Sequence, residues 1–142
     1  MPTWVKIVLV IVVVGFIGVA VAVVLVARWV KSQGAELQKQ GEVVIAEGKQ
    51  FGQGKDANAC LAESLTRVRA CDGFICEAKI RVFLQNCLET ATVSPELCAT
   101  VPKTTAILES AQWQVAECGR RGAPNDARCV RLIGELQVHC SK

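Results

Sequence analysis

Three patterns of apolar and polar positions follow one another along the chain. From Ile7 to Ala27 run 21 residues without a charge, mostly Val, Ile, Leu and Ala. At about 1.5 Å per residue such a helix spans the roughly 30 Å hydrocarbon layer of a bilayer. In lipid the β-branched residues adopt a helix whatever their propensity in water, because every backbone polar group must be satisfied within the segment. Trp4 and Trp29 bracket the run, and Lys6, Arg28 and Lys31 stand at its ends as interfacial anchors do. A cleaved signal peptide is the competing reading, with Ala20-Val21-Ala22 as its cleavage site. Its apolar core should run only about 7–15 residues, so a retained single-pass anchor is expected.

Residues 30–55 change character, with Gln, Glu, Lys and Gly around single apolar residues. Val30, Leu37, Val44 and Phe51 recur every seven residues, and Gly34, Gly41 and Gly48 keep the same interval. The second apolar position of a coiled coil is taken by Gln33, Gln40 and Glu47, so the seam is too narrow for a strong one. The segment reads as a solvated, partly helical spacer. A helix pair brought close by the glycines is the sharper alternative. Gly52-Gln53-Gly54 ends any helix before the next region.

The third pattern is helical. Ala57 to Arg69 carries Leu61, Leu65 and Val68 on one side, and Cys71-Asp72-Gly73 supplies a turn. From Phe74 to Thr90, Cys76, Ile80, Phe83 and Cys87 follow the i, i+4, i+7, i+11 rule for one buried stripe. Ser94-Pro95-Glu96 reads as a helix start, with Ser capping and Pro in the first turn. Pro102 interrupts that segment. The next helix is expected from about Lys103 to Glu117, with Ile107, Ala111, Val115 and Cys118 on one side. A loop from Gly119 to Pro124 follows, and Asn125 or Asp126 caps a last helix. In that helix Cys129, Ile133, Leu136 and Cys140 repeat the earlier stripe. The expected fold is therefore all-α: a transmembrane helix at 1–30, a stalk at 31–55, and a disulfide-stapled bundle of about four helices, in two hairpins, at 56–142.

Composition adds the crosslinks. All eight cysteines lie between Cys60 and Cys140, and an even count in one small domain favours a disulfide framework in an oxidising compartment. Cys60–Cys71, Cys76–Cys87 and Cys118–Cys129 are each eleven residues apart, almost three helical turns, so such a pair in one helix shares a face. In an antiparallel hairpin, setting Cys71 against Cys76 also sets Cys60 against Cys87. Setting Cys118 against Cys129 leaves Cys140 facing Ile107. Cys98 is then the spare partner for Cys140, if its segment folds back beside the last helix.

The spacing resembles the twin CxnC helical hairpins of the coiled-coil-helix family, over Cys60 to Cys87 and more loosely over Cys118 to Cys140. The resemblance implies two parallel disulfides per hairpin and a structural or assembly role. The commonest form of that family has nine residues between cysteines, where this chain has ten.

The remaining chemistry is sparse. A net charge of +3, with basic residues scattered among acidic ones, gives no nucleic-acid footprint. The sequence has no C-x-x-C, G-x-S-x-G, phosphate loop or H-E-x-x-H. Glu63, Glu77 and Glu89 read as helix charges, not catalytic carboxylates. Cys71–Cys76 reads as a crosslink before a redox couple, Trp113 as core before contact surface, and Arg120-Arg121 as loop charges. His139 beside Cys140 lacks the close ligand couples of zinc sites. No catalytic, cofactor or metal site is expected.

The expected role is a membrane-anchored structural or interaction module outside the cytosol. Its partners would be the bilayer and an envelope protein, or a second copy through anchor and stalk, where Gly15, Gly18 and Ala22 put small residues near one face. The alternatives are a thiol–disulfide redox protein and a reduced, metal-binding cytosolic domain. Arg28, Lys31 and Lys39 follow the span, so the positive-inside rule points to a cytosolic domain. The cysteines point outward and carry more weight, toward a bacterial envelope or, as the alternative, the mitochondrial inner membrane.

Overall fold

The computed structural model describes residues 2–93 and 95–142, and contains six helices among them: α1 (Thr3–Gly52), α2 (Ala57–Arg69), α3 (Phe74–Thr90), α4 (Pro95–Ala99), α5 (Ile107–Arg120) and α6 (Ala127–Cys140). The expected Ser94 cap lies outside the described residues. The chain divides into two units, one ending at Gln40 and the other running from Gly41 to Lys142. Residues 3–40 of the first are helical, and α1 is long and apolar enough to cross a membrane.

The second unit is built on the α2–α3 hairpin. Asp56 caps α2, its side chain accepting from Ala59 N–H at 2.7 Å, which satisfies one of the donors a helix start leaves free. The turn into α3 needs Gly73, whose φ of 89° lies in the left-handed region. At the open end of the hairpin, Ala57 N–H donates to Thr92 C=O at 3.1 Å and Thr92 N–H to Lys55 C=O at 2.9 Å. Leu61, Leu65 and Val68 of α2 and Ile80, Phe83, Leu84 and Leu88 of α3 are buried.

Helix α6 covers this hairpin. It runs parallel to α3, with Arg131 paired to Glu77 at 2.5 Å and Arg81 paired to Glu135 one turn further on. Asp126, rather than Asn125, provides its cap, accepting from Arg128 N–H at 2.9 Å. Asn125 instead takes a left-handed turn conformation, with φ 60°, which Asn tolerates better than most residues. Leu132, Ile133 and Leu136 complete the core with Cys129.

Two expectations change. The compact unit begins at Gly41 rather than after the stalk, because the last turns of α1 pack on α3. Helix α5 starts at Ile107, not near Lys103, and continues to Arg120. Residues 103–106 instead form a turn in which Ala106 N–H bonds to Lys103 C=O at 2.9 Å.

Candidate functional site

The structure closes four disulfides: Cys60–Cys87, Cys71–Cys76, Cys98–Cys140 and Cys118–Cys129, with Cα separations of 5.8, 5.7, 5.2 and 5.9 Å. These separations lie within the usual range for a disulfide. The first two sit on successive levels of the α2–α3 hairpin. Cys118–Cys129 ties α5 to α6. Cys98–Cys140 fastens α4 to the end of α6, so the segment after Pro95 folds back as the spare cysteine requires. Cys60, Cys87, Cys118 and Cys129 are buried, whereas Cys98 and Cys140 are only half-buried.

Beside the Cys60–Cys87 level lies the docking of α1. A Cβ placed on Gly48 would come within 2.6 Å of Phe83 C=O, and one on Gly52 would overlap Cys87 C=O and the Thr90 hydroxyl. Only a residue without a side chain lets the two backbones approach this closely. Thr90 Oγ1 donates to Lys49 C=O at 3.0 Å, and the rings of Phe51 and Phe83 meet at 5.6 Å. The Arg67 guanidinium stacks 4.1 Å from the Phe83 ring centroid and pairs with Glu47 at 2.7 Å and Glu63 at 2.8 Å. Burial alone would lower the Arg67 pKa, but hydrogen bonds and charge from Glu63 and Glu47 outweigh it and raise it.

The signal for this docking was Gly48-x-x-x-Gly52, a small-residue pair one helical turn apart. Gly48 also falls in the seven-residue glycine interval and Gly52 in the helix-ending Gly52-Gln53-Gly54, so the pair is overlaid by two other patterns. Gly34 and Gly41 have open space around them. The heptad therefore divides: Val44 and Phe51 pack on the core, while Val30 and Leu37 remain exposed.

Helix α5 departs furthest from expectation. Ile107, Ala111 and Val115, grouped on one side with Cys118 by the sequence pattern, face outward while Cys118 is buried, and Ile107 and Leu108 are 81% and 71% exposed. The inner side instead carries Ser110, Gln114, Glu117 and Cys118. Gln137 of α6 donates to Ser110 Oγ at 2.6 Å and to Pro102 C=O at 3.0 Å, and accepts from Gln114 at 2.8 Å. Buried polar groups must be paired to avoid a desolvation penalty, so this network sets the rotation of α5. Trp113 is half-buried against the core. An open groove of about 480 Å³ runs between α5 and α6, with Ile107, Ala111, Gly134 and Val138 on its apolar side.

The charged residues singled out in the sequence are mostly paired. Arg121 bonds Glu117 at 2.8 Å and Asn58 at 3.0 Å, and Arg120 also pairs with Glu117. Burial would raise the Glu117 pKa, but hydrogen bonds and charge from both arginines hold it below the ordinary carboxylate value. His139 is lowered, first by burial and then by the Lys142 charge, against the opposing influence of Glu89. Among the described residues no group of three His, Cys, Asp or Glu side chains is placed to hold a metal ion. The chain matches no known protein family, no curated protein and no solved structure.

Proposed function

We propose that this chain is a membrane-anchored, non-catalytic module whose disulfide-locked helical domain presents a rigid surface to a protein partner outside the cytosol. The observation that carries the reading is the closure of all eight cysteines into four disulfides within one small domain. Such crosslinks persist in oxidising compartments and suit domains whose cores alone are marginal. The apolar span of α1 supports the anchor.

The test is the intact mass of the protein extracted from membranes under alkylating conditions, with and without reductant. The reading expects a mass that retains the apolar span before Arg28, no alkylation before reduction and eight alkylations after it. Eight alkylated thiols without reductant would place the domain in a reducing compartment and reverse the topology. A chain beginning after Ala22 would replace the anchor with a signal sequence.

A redox role is the second reading, supported by one feature: Cys98–Cys140 is half-buried and joins a short helix with no buried residue to the chain's end. Two alkylated thiols under native conditions, mapped to that pair, would favour it, because exchange requires access to a sulfur.

A further inference from the structure

The α5 face is an inverted amphipathic surface. A helix of a globular protein ordinarily turns its apolar stripe to the core, yet α5 buries its polar side on Gln137 and exposes Ile107, Leu108, Ala111 and Val115. The rotation is held by the Cys118–Cys129 disulfide at one end and the Ser110–Gln137–Pro102 hydrogen bonds toward the other. The chain therefore locks this stripe outward. Val138 of α6 borders the same groove and extends the surface.

We propose that this face is the interface between two copies of the chain. The inference rests on the interaction reading above and names its surface and partner. Ile107, Leu108, Ala111, Val115 and Val138 expose an apolar area on the order of 500 Å², near the upper size of patches on monomeric proteins. A stable interface buries about 800 Å² per partner, somewhat over half of it apolar. The patch thus supplies the apolar core of one side of such an interface.

The charges around it favour an identical partner over a lipid surface. Thr105, Gln112 and Gln114 flank the stripe without charge, Lys103 and Glu109 near its start have opposite sign, and Arg81 and Arg131 across the groove are each paired with a carboxylate, Glu135 and Glu77. Two identical faces therefore meet without net repulsion, as flanking positions of paired helices require. An interfacial lipid-binding helix would instead border its apolar face with Lys and Arg left free to meet anionic headgroups. Under the anchored reading, copies in one bilayer are also held on the same side, which raises the local concentration of one face for the other.

The test is the oligomeric state of the full chain in mild detergent, measured by light scattering corrected for bound detergent, for wild type, Leu108→Arg and Val115→Arg. Both positions are exposed, so helix content and the four disulfides should be unchanged, as circular dichroism and intact mass would report. The wild type is expected to be a dimer that dissociates on dilution, with each variant weakening it at least tenfold. A monomeric wild type at every concentration overturns the proposal, as does a dimer indifferent to both substitutions, which would pair through α1. If the disulfides are intact in either case, the interaction reading stands and needs another partner. Free thiols in the same sample would instead overturn that reading.

Discussion

The two helical hairpins of the compact unit use cysteine in similar places and pack in opposite ways. In α2–α3, two disulfides bracket a continuous apolar stripe, and both helices turn Leu, Ile, Val and Phe inward. In α5–α6, one disulfide joins the helices near their connecting loop, and a polar network of Ser110, Gln114 and Gln137 takes the place of the apolar stripe on the α5 side. A crosslink fixes where two helices meet. It turns its own two residues toward each other but leaves their neighbours open, and in the second hairpin hydrogen bonds decide which positions of α5 join Cys118 on the inner side.

The largest expected effect comes from the buried bond of the first hairpin. Its 27-residue separation implies about 3–4 kcal/mol from the unfolded chain, and Cys60 and Cys87 together replaced by Ala also leave a core void. Replacing Cys71 and Cys76, only five residues apart, should cost about 2 kcal/mol. Urea unfolding of both double variants would rank them, and equal losses would contradict the separate levels of the hairpin.

One residue type then separates the hairpins. Ile133→Ala should lose about 2–5 kcal/mol, because Ile133 is fully buried. Ile107→Ala should change monomer stability by less than about 0.5 kcal/mol. A comparable loss at both positions would show that α5 is turned the other way.

The docked end of α1 gives an intermediate effect. Gly48→Ala should destabilise by about 1–3 kcal/mol through overlap with the α3 backbone. Gly34→Ala, in open space, should instead strengthen its helix by up to about 1 kcal/mol. Amide exchange in residues 41–52 would speed up in the first variant alone. Loss of the polar seam through Gln137→Leu should cost about 1–3 kcal/mol, since Ser110 and Gln114 lose a buried partner. Thermal unfolding would detect it, and Gln85→Leu, at an exposed site on α3 where Gln85 donates to Glu135 at 2.6 Å, makes a milder comparison.

The smallest effect is that of pH. The folded pKa of Glu117 is lowered, so its contribution is complete above the unfolded carboxylate pKa and is lost as pH falls through the folded value. Stability should therefore decline in acid, beginning near the ordinary Glu range, and Glu117→Gln should remove part of that slope. Unfolding midpoints collected from neutral to acidic pH would show it; an unchanged slope would mean the Arg120 and Arg121 pairs contribute nothing.

The sequence by itself determined the helices whose pattern is local and strong. The long uncharged run predicts the apolar part of α1, and α2 and α3 follow from apolar spacing and the Cys71-Asp72-Gly73 turn. The eleven-residue intervals bring the cysteine pairs of the first hairpin to matching levels, because helical periodicity and antiparallel pairing are both set by backbone geometry.

Only the tertiary structure decided which neighbour each remaining face would meet. The apolar pattern of α5 is genuine, but Gln137 reaches Ser110, Gln114 and Pro102 only when that pattern points outward. The glycines of α1 read alike along the chain, yet only Gly48 and Gly52 meet α3 closely. Periodicity records which residues share a side of a helix. The partner of that side is set by long-range hydrogen bonds and backbone approach, between residues that the sequence leaves dozens of positions apart.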